Sequence, residues 1–528
     1  MKRPLLLATL ASASASTLAA PPVIYNLGIY PGGTESHGAA VSDDGTYVTG
    51  YGDFISGASQ FFYAFRWSIA GGLINLGTPP AISFTAGNSM SATGNAIAGN
   101  GGNKLFRWTS SGGMQNLGLL PTGTLGLATG ISGDGTIVVG YSNVAGGNTY
   151  GVRWTSPGVL VQLPTLPGGA FGSSAYGISS DGSTIVGGST WTGAGYHACR
   201  WLPGNIVQDL GALPTATDSR AYAISKDNMV IVGDCQMPGG DRMFRYVSAS
   251  MQNLGTPLGS TDSYSRSTNW DGKVVTGRAK VGTNTYRAAY WSTSVGMKDL
   301  ASWVTSLGGN LTGWVLLEAW GVSNDGSTIA GTGTFNGATR AFVIKGLPCP
   351  STAQVVTDPV DIAVCSDPNA SAALTVEVVA PGEVTYQWSV ESPPDSGVFV
   401  PLDGPFYSDT TGLSFAVEGW DSPQLVITGA RAAAPVKDIK FSGGVTNPCG
   451  TVTTSLARVV LCRSDLTCDG QVDDSDFVSF ASAYNDFLCP AGGPGTAGEC
   501  PADLNGDQQV DDADFVIFAE AYDRLMCV

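Results

Sequence analysis

Two acidic segments near the C-terminus have the residue types and spacing of calcium loops. Aspartate occupies positions 1, 5, 9 and 12 of each segment, and the segments start at Asp465 and Asp503. Oxygen ligands at alternating positions, with a backbone carbonyl at position 7, converge on one hard cation when such a loop wraps around it. The expected ligands are Asp465, Thr467, Asp469, Gln471, Asp473 and Asp476 in the first loop and Asp503, Asn505, Asp507, Gln509, Asp511 and Asp514 in the second.

Charge and composition favour calcium as the cofactor, at two sites. Residues 462–528 contain 14 acidic and 2 basic residues, a net charge of −12 within a chain total of −17. Without a cation these carboxylates repel one another, so folding of this segment should depend on calcium. The loops contain no histidine and need no thiolate, which disfavours softer metals. The first site should be the weaker, because Thr467 stands where Asn or Asp is usual. In the second loop Gln508 replaces the usual glycine.

A helix is predicted after each loop and none before it. Apolar residues recur at i, i+3, i+4, i+7 and i+11, which indicates an amphipathic helix. These stripes are Phe477, Phe480, Ala481, Tyr484 and Leu488, and Phe515, Phe518, Ala519, Tyr522 and Met526. Half an EF-hand used twice, with Asp at position 12, resembles the type I dockerin repeat. Each copy also contains two cysteines 27 residues apart, Cys462 and Cys489 in the first copy and Cys500 and Cys527 in the second. They are expected to form one disulfide within each copy, and pairing across the two copies is the alternative.

The dockerin resemblance implies a protein partner. Dockerins bind cohesin domains through residues at loop positions 10 and 11, which here are Asp474–Ser475 and Asp512–Ala513. These pairs differ from the small hydroxyl residues usual in that family. The expected partner is therefore a cohesin-like or other surface protein.

The rest of the chain contains no recognisable catalytic set. It has only two histidines, His37 and His197, and neither lies in a Ser/His/Asp or Cys/His motif. His37 has no identifiable partner, and His197 is expected to be structural. Glu35, Asp53 and Glu318 are candidate carboxylates for glycoside hydrolysis, but nothing in the sequence pairs them. The net charge of −17 argues against a nucleic-acid partner.

Residues 24–346 carry a repeat that predicts a β-propeller. An apolar strand ending in Ser precedes a turn that is most often Asp-Gly, and these turns fall at residues 44, 93, 134, 181, 227, 271 and 325. Steps of about 45 residues with four short strands each match propeller blades. Asp-Gly favours a type I′ hairpin turn, in which both central residues have positive φ. Thr93 replaces the Asp in one turn, and Asn228 replaces the Gly in another.

The phase of the repeat predicts seven blades closed into a ring. The chain starts with an isolated fourth strand, Ile24–Gly28, and the last repeat ends on a third strand, Arg340–Val343. The first strand can complete the last blade, which removes the exposed edges of an open array. Arg-Trp pairs close most third strands, and their tryptophans should pack between blades: Trp67, Trp108, Trp154 and Trp201.

This part of the chain resembles the bacterial extracellular HAF-repeat family, which carries a His-Ala-Phe signature. The match lies at Tyr63–Trp67, Tyr196–Trp201, Arg340–Phe342 and Gly313–Gly326. The resemblance implies an exported propeller and no particular reaction. Within the propeller, Cys199 and Cys235 lie in neighbouring repeats and are either a disulfide or two buried thiols.

Aromatic residues cluster where the repeat is interrupted. The segment Gly50–Tyr63, interpreted as a loop, carries Phe54, Phe61, Phe62 and Tyr63. An insertion at Ala301–Trp320 carries Trp303, Trp314 and Trp320. They are expected to pack in the core. The alternative is a surface that stacks on apolar faces of a ligand such as a sugar.

A β-sandwich is predicted between the repeats and the calcium loops. Short strands continue over residues 348–461 without the Asp-Gly repeat, and Trp388 is the expected core tryptophan. The hairpin at Thr446–Thr453 resembles the last hairpin of bacterial Ig-like modules. That resemblance implies a disulfide between Cys365 and Cys449. Cys349 and Cys468 stay unassigned.

The N-terminus predicts export. Residues 1–20 combine Lys2 and Arg3 with a short apolar core and small residues before Pro21, the pattern of a signal peptide. No later apolar run reaches the roughly 18 residues that a membrane span needs. The predicted organisation is a signal peptide at 1–20, a propeller at 21–347, an Ig-like sandwich at 348–461 and a dockerin-like domain at 462–528.

These features predict a secreted, non-catalytic interaction protein at the cell surface or outside the cell. Its propeller would display a binding surface, and its calcium-loaded C-terminal module would dock it to a partner. The alternatives are a polysaccharide-degrading enzyme with a dockerin-like module and a carbohydrate-binding propeller without chemistry. Carboxylates clustered at one mouth of the ring would favour the enzyme, and aromatic residues without carboxylates would favour the carbohydrate-binding protein.

Overall fold

The structure is a computed structural model, and the residues that it describes are mainly β, with three helices among them. It describes residues 20–57, 59–78, 84–192, 195–350, 353–365, 369–380, 384–410, 412–431, 438–447, 449–469, 471–486, 502–504 and 510–524. The signal-like segment up to residue 19 lies outside these ranges, as do Asn505, Asp507, Gln509, Cys489, Cys500 and Cys527. None of the described helices is long and apolar enough to cross a membrane. The chain divides into two compact units, Met1–Pro348 and Cys349–Val528.

The first unit consists of short strands and one short helix. The strands are β1 Val23–Asn26, β2 Ser36–Val41, β3 Val48–Ser56, β4 Ser59–Ser68, β5 Gly72–Asn75, β6 Thr85–Met90, β7 Ala96–Gly101, β8 Lys104–Thr109, β9 Gly113–Gly118, β10 Gly126–Ile131, β11 Ile137–Asn143, β12 Thr149–Thr155, β13 Leu160–Gln162, β14 Ser173–Ile178, β15 Ile185–Thr190, β16 Tyr196–Leu202, β17 Ile206–Gly211, β18 Asp218–Ile224, β19 Val230–Gln236, β20 Arg242–Val247, β21 Ser250–Asn253, β22 Asp262–Thr268, β23 Val274–Gly282, β24 Thr285–Ser292, β25 Gly296–Asp299, β26 Trp314–Val322, β27 Ile329–Phe335 and β28 Ala338–Lys345. Helix α1, Leu300–Ser306, follows β25 and is capped by Asp299.

These strands form seven antiparallel sheets of four strands each. Sheets 1 to 6 take consecutive strands, from β2–β5 to β22–β25, and sheet 7 has the order β26–β27–β28–β1. The pairing of β1 with β28 is the one predicted from the repeat, with Ile24 opposite Ile344. The segment predicted as an aromatic loop at Gly50–Tyr63 is instead a long hairpin of β3 and β4, with Phe54 opposite Phe61.

The Asp-Gly turns hold together the first two strands of most sheets. In sheet 1 the Asp44 carboxylate accepts the Ser42 hydroxyl at 2.6 Å and the Thr46 amide at 2.8 Å. Gly45 has φ +72°, and Asp44 is not in the left-handed region. The predicted type I′ geometry is therefore wrong, because the aspartate side chain stabilises a longer turn in which only the glycine position is left-handed. Asn228 takes that position in sheet 5, with φ +63°.

Neighbouring sheets share hydrophobic cores, as predicted for the Arg-Trp pairs. Trp67 packs with residues of sheets 1 and 7, Trp154 with sheets 2 and 3, and Trp201 with sheets 3 and 4. The arginines also reach the next sheet: Arg107 Nε donates to the carbonyl of Gly135 at 2.6 Å. The repeated Arg-Trp motif therefore holds neighbouring sheets together.

Hydrogen bonds between turns join the sheets in sequence. The backbone amide of one turn donates to a carbonyl of the next in six places, and the last of them joins sheet 7 to sheet 1: Asp43 to Ala92, Ala92 to Gly133, Gly133 to Ser180, Asp227 to Trp270, Trp270 to Asn324, and Asn324 to Asp43. Between sheets 4 and 5, the Asn228 side chain donates to Asp181 at 3.0 Å.

The second unit begins with two facing sheets around one core. Its strands are β29 Gln354–Thr357, β30 Ile362–Cys365, β31 Ser371–Thr375, β32 Glu377–Val379, β33 Thr385–Glu391, β34 Phe399–Pro401, β35 Phe406–Ser408, β36 Ser414–Glu418, β37 Gln424–Arg431, β38 Asp438–Asn447, β39 Gly450–Thr453 and β40 Ala457–Cys462. One sheet has the order β30–β40–β38–β33–β34 with β39 on β38, and the other has the order β31–β37–β36–β35. Trp388 is fully buried between them, as predicted, and its Nε1 donates to the Ser422 carbonyl.

Helices α2, Asp474–Asp486, and α3, Asp512–Arg524, follow the two acidic loops as predicted. They share a small core of their own with Val472, Leu504 and Val510, in which the rings of Phe480 and Phe518 stack at 4.9 Å.

The cysteine pairings differ from those predicted. Cys349 pairs with Cys449, and Cys365 pairs with Cys468. The expected bond between Cys365 and Cys449 is therefore wrong. Cys365 ends a strand that runs parallel to β40, which places it beside the start of the first acidic loop. Cys462 is also disulfide-bonded, but its expected partner, Cys489, lies outside the described residues.

Cys199 and Cys235 form no disulfide. Both are buried free thiols, and they pack in different cores. Cys199 lies on the third strand of sheet 4, and Cys235 lies on the second strand of sheet 5, where its sulfur accepts the Leu213 amide. Burial raises the pKa of Cys235 to about 11. Of the two outcomes left open by the sequence, the structure has the buried thiols.

Candidate functional sites

A β-bulge recurs at the same place in the first strand of every sheet. The register shifts by one residue on each of these strands, and the bulged residues are Ala39, Asn88, Thr129, Tyr176, Tyr222, Arg266 and Trp320. Each lies three positions before the Ser or Asn that opens the turn. Bulges redirect a side chain away from the regular alternation of a strand. All seven of these side chains are partly exposed, in strands that are otherwise largely buried.

The seven bulged residues line one central space. A cavity of about 480 Å³ and a smaller one of about 140 Å³ both include all seven in their walls. Pockets that hold small ligands commonly measure about 300–1,000 Å³. One residue from each sheet therefore faces the same space. The larger cavity also has residues of a second layer. They lie two positions before the bulge, or opposite that position on the second strand: His37, Tyr51, Asn100, Leu127, Tyr141, Glu318 and Thr332.

The wall of the cavity is aromatic on one side. Tyr176 and Tyr222 lie with ring centroids 4.9 Å apart, and Tyr141 meets Tyr176 edge-on at 6.5 Å. Burial raises the pKa of both Tyr176 and Tyr222, so their hydroxyl groups stay protonated at neutral pH. Aromatic faces with intact hydroxyls suit a ligand that has both apolar and hydroxyl-bearing surfaces.

Glu318 is the carboxylate that lines the cavity. It forms an ion pair with Arg278, and its Oε2 accepts the Trp320 Nε1 hydrogen at 2.7 Å. The Arg278 guanidinium lies over the Tyr286 ring at 4.2 Å. These contacts fix the Glu318 carboxyl group in place and occupy both of its oxygens, which suits a positioned hydrogen-bond acceptor better than a general acid.

The other two carboxylates proposed from the sequence have different surroundings. Asp53 accepts hydrogen bonds from the amides of Thr34 and Glu35 and from the Gln60 side chain, so it holds a loop together. Glu35 lies 3.5 Å from His37 Nε2. The expectation that His37 has no partner is therefore wrong, since its ring also stacks on Tyr51 at 4.6 Å.

Tyr51 interacts electrostatically with both Glu35 and Glu318. Burial raises the pKa of Tyr51, and the negative charges of Glu35 and Glu318 raise it further. His197 is structural as expected: it stacks on Trp191 at 4.0 Å, and its Nδ1 lies 2.9 Å from Asp209.

The expectation of core packing holds in part for the aromatic residues of the interruptions. Trp303 and Trp314 are half-buried against a core, whereas three half-buried rings of the β3–β4 hairpin belong to none of the cores among the described residues: Phe54, Phe61 and Phe62. Trp303 stacks on the buried Tyr290, and Trp314 packs against Phe335 and Phe342. Trp320 is the member of that insertion that reaches the cavity. The interruptions of the repeat therefore do not mark the whole cavity, whereas one variable position inside the repeat does. The signal was there: this one position changes from Ala to Arg to Trp while small residues flank it.

The first acidic loop brings three carboxylates together. Ligand oxygens of Asp465, Asp469 and Asp476 lie within 4.8 Å of one another, with Asp465 and Asp476 buried. Asp476 accepts the backbone amides of Thr467 at 2.8 Å and Asp473 at 3.0 Å, which fold the loop around it. Three hard oxygen ligands at positions 1, 5 and 12 fit calcium. Thr467 and Gln471 are exposed, and Asp473 accepts the Ser475 amide at the start of α2.

The second loop is described only at its two ends. Asp514 is fully buried and accepts the amides of Leu504 at 2.7 Å and Asp511 at 3.0 Å. Asp511 in turn accepts the Ala513 amide at 2.8 Å, as Asp473 accepts that of Ser475. The described parts of the two loops therefore share the same aspartate arrangement.

The helices pair through a symmetrical exchange of hydrogen bonds. The Tyr484 hydroxyl of α2 donates to Asp512, and the Tyr522 hydroxyl of α3 donates to Asp474. Asp474 and Asp512 are the residues at loop position 10, so each recognition position implied by the dockerin resemblance is bonded to the other repeat.

Comparison with known proteins finds no family model that matches this chain and no curated protein that matches it.

Proposed function

We propose that this chain is a secreted, non-catalytic interaction protein that binds saccharide. Its seven sheets would form a closed seven-bladed propeller with the binding site in the central cavity. Its C-terminal module would bind calcium and dock the protein to a surface partner. The observation that carries the proposal is the ring of seven bulged residues, one from each sheet, around one cavity.

Three features support closure of the ring. Strand β1 completes the last sheet, a backbone hydrogen bond runs from Asn324 of sheet 7 to Asp43 of sheet 1, and the cavity has a wall residue from every sheet. A ring leaves no unpaired edge at the ends of the array.

The residues of the cavity support saccharide as the ligand. Tyr176, Tyr222 and Trp320 offer faces for stacking on a sugar ring, while Asn88, Thr129 and Glu318 offer hydrogen bonds to hydroxyl groups. Glu318 is committed to Arg278 and Trp320, which favours binding over hydrolysis.

Probing a polysaccharide and oligosaccharide array with the full chain tests this function. We expect binding to a defined set of saccharides, and we expect the double variant Tyr176→Ala, Trp320→Ala to lose it. A matched control is Phe171→Ala, Phe406→Ala, which removes two rings that are 72% and 63% exposed elsewhere. Equal binding by both double variants, or no binding by the wild type, would contradict a saccharide site in the cavity.

Calcium binding rests on the carboxylate cluster of the first loop. Asp465, Asp469 and Asp476 would hold the ion there, and the second loop would use Asp503, Asp511 and Asp514 with the ligands at positions 3, 5 and 7. Bound calcium neutralises the repulsion between these carboxylates and stabilises the helix pair. The first site, with Thr467 at position 3, should be the weaker. The sandwich with buried Trp388 would be an Ig-like spacer between the two functional parts.

A glycoside hydrolase is the second candidate, because the negative charges of Glu35 and Glu318 both raise the pKa of Tyr51, which lines the cavity. Hydrolysis needs one carboxyl group to donate a proton and a second group to activate water or attack the sugar. Release of reducing ends from an array-positive polysaccharide by the wild type, abolished in Glu318→Gln, would favour this enzyme over the binding protein.

A further inference from the structure

The ring of bulged residues is strongly asymmetric. Sheets 4 to 7 contribute the large side chains Tyr176, Tyr222, Arg266 and Trp320, and sheets 1 to 3 contribute Ala39, Asn88 and Thr129. Arg266 is the cation of the ring, and it lies between the two aromatic residues. Its guanidinium is 5.2 Å from the centroid of Tyr222 and 4.9 Å from that of Trp320.

Arg266 has no ion pair among the described residues, in contrast to two arginines of the neighbouring strands. Arg278 pairs with Glu318, and Arg220 pairs with Asp218 at 3.1 Å. Arg266 donates from Nη1 to the carbonyl of Ser265 at 2.8 Å, and its buried Nε has no hydrogen-bond partner in the described part of the chain.

Asp234 is the carboxyl group whose charge interacts with Arg266, and it neutralises that arginine only in part. One oxygen of Asp234 is buried and accepts no hydrogen bond from any described residue. Burial raises the pKa of Asp234 to about 7, although the positive charge of Arg266 opposes that rise. Near neutral pH this carboxyl group therefore offsets the positive charge of Arg266 only in part.

A guanidinium between two aromatic faces combines two recognition chemistries. Its planar fork of N–H groups matches the geometry of a carboxylate, and the flanking rings stack on apolar surface. A ligand that uses both has a carboxylate attached directly to a ring with an apolar face. Uronic acid units of polysaccharides have this chemistry.

We propose that the cavity selects acidic saccharides, with the carboxylate of a uronic acid unit bound by Arg266 and its ring stacked against Trp320 and Tyr222. This inference rests on the proposed saccharide-binding function. It makes Arg266 the residue that determines specificity, and it places the uronic acid unit beside sheets 5 to 7.

Calorimetry on the full chain tests the selection. The probes are a trimer of galacturonic acid and an uncharged galactose trimer of the same linkage. We expect the wild type to bind the acidic trimer about 10- to 100-fold more tightly, the range expected for a hydrogen bond to a charged group. Rising salt should weaken binding of the acidic trimer and leave the neutral trimer unaffected.

Two variants locate the preference. Arg266→Gln should bind the two trimers equally, and Arg266→Lys should keep part of the preference, because lysine retains the charge and loses the fork. Arg287→Gln is the matched control, since it removes the same charge from another strand of sheet 6, outside the cavity wall. Circular dichroism verifies that the variants fold. If a variant does not fold, the salt dependence of wild-type binding to the acidic trimer tests the selection instead.

The outcomes separate the two proposals. Equal affinity of the wild type for both trimers would overturn the selection of acidic saccharides and leave saccharide binding in place. Binding of neither trimer, together with an empty array, would overturn both. Equally tight binding of a sulfated galactose trimer would overturn the choice of a carboxylate.

Discussion

Asp476 is the residue around which the first acidic loop folds. It is fully buried, and it joins Asp465 and Asp469 in the cluster that fits calcium. Replacing it with asparagine removes one negative ligand, so Asp476→Asn should weaken the first calcium site at least about 10-fold. Calorimetric titration of the full chain with calcium measures this change. Asp395→Asn, at a side chain that is 82% exposed in the sandwich, is the control and should leave both sites intact.

Asp234 makes stability depend on pH. Burial raises its pKa to about 7, from the ordinary aspartate value of 3.8. The folded state therefore binds the proton more tightly than the unfolded state between these values, and its stability falls as the pH rises through that window. Asp234→Asn should remove the decline and raise the free energy of unfolding at pH 8 by roughly 1–2 kcal/mol.

Chemical denaturation of the wild type and Asp234→Asn at pH 5 and pH 8 measures the effect. The free energy of unfolding of Asp234→Asn should exceed that of the wild type only at pH 8. A difference that stays constant across this range would mean that the Asp234 carboxyl group is ionised throughout.

The sequence made some residue-level features predictable and hid others. Trp388 and the loop aspartates were identifiable, because their surroundings depend on local patterns of apolar and acidic residues. The pairing of Cys365 with Cys468 was not, because it depends on a parallel strand contact that no local pattern encodes. The charge at Arg266 follows from packing between sheets, which the sequence alone does not give.

Among the elements, the Ser-Asp-Gly turn is the unit that each sheet repeats. The Asp134 carboxylate accepts the Ser132 hydroxyl at 2.5 Å and the Thr136 amide at 2.9 Å. Burial acts to raise the pKa of Asp134, but hydrogen bonds from Ser132 and Thr136 lower it overall. These bonds therefore stabilise the turn at neutral pH and are lost as the pH falls through the depressed pKa.

Exchanging the residue at this turn position in two sheets tests its contribution. Asp134→Ala should lower the free energy of unfolding by about 1–2 kcal/mol, because it removes the three charge-assisted hydrogen bonds that Ser132 and Thr136 donate to this carboxylate. Thr93→Asp restores the repeat residue in the sheet that lacks it and should raise stability by up to about 1 kcal/mol. Thermal denaturation of both variants measures this. A loss of stability in both would mean that each turn is specialised for its own sheet.

The turn also illustrates what a motif predicts. Asp-Gly correctly placed the turns and the strand boundaries beside them. It did not predict the turn type, because the aspartate side chain, through its bonds to Ser and Thr, decides the backbone conformation. The bulge in the first strand was likewise hidden, since a register shift depends on the partner strand.

For the whole molecule, the N-terminal strand has a disproportionate role. Strand β1 forms four registered pairs with β28, from Val23 opposite Lys345 to Asn26 opposite Phe342. Deleting residues 21–28 should leave β28 as an open edge and remove the buried Leu27 from the core between sheets 1 and 7. We expect a melting temperature several degrees lower and self-association at high concentration.

Differential scanning fluorimetry and light scattering measure both effects. Deleting only Pro21 and Pro22, which precede the strand, is the control and should change neither. A shortened chain that remains as stable and as monomeric as the control would contradict a ring that depends on this strand.

The number of sheets and the closing pair were predictable because the repeat is long, periodic and out of phase at its ends. The cavity was not, because it requires one residue from each of seven sheets, separated in sequence by up to about 280 positions. A single repeat contains no information about its six neighbours.

Hydrogen exchange of the full chain with and without the galacturonic acid trimer tests ligand binding at the centre of the ring most directly. The account predicts slower exchange in Ser173–Ile178, Asp218–Ile224, Asp262–Thr268 and Trp314–Val322, the first strands of sheets 4 to 7. It predicts no change in the fourth strands Ile206–Gly211 and Ser250–Asn253. Protection confined to those fourth strands or to residues 349–528 would contradict it.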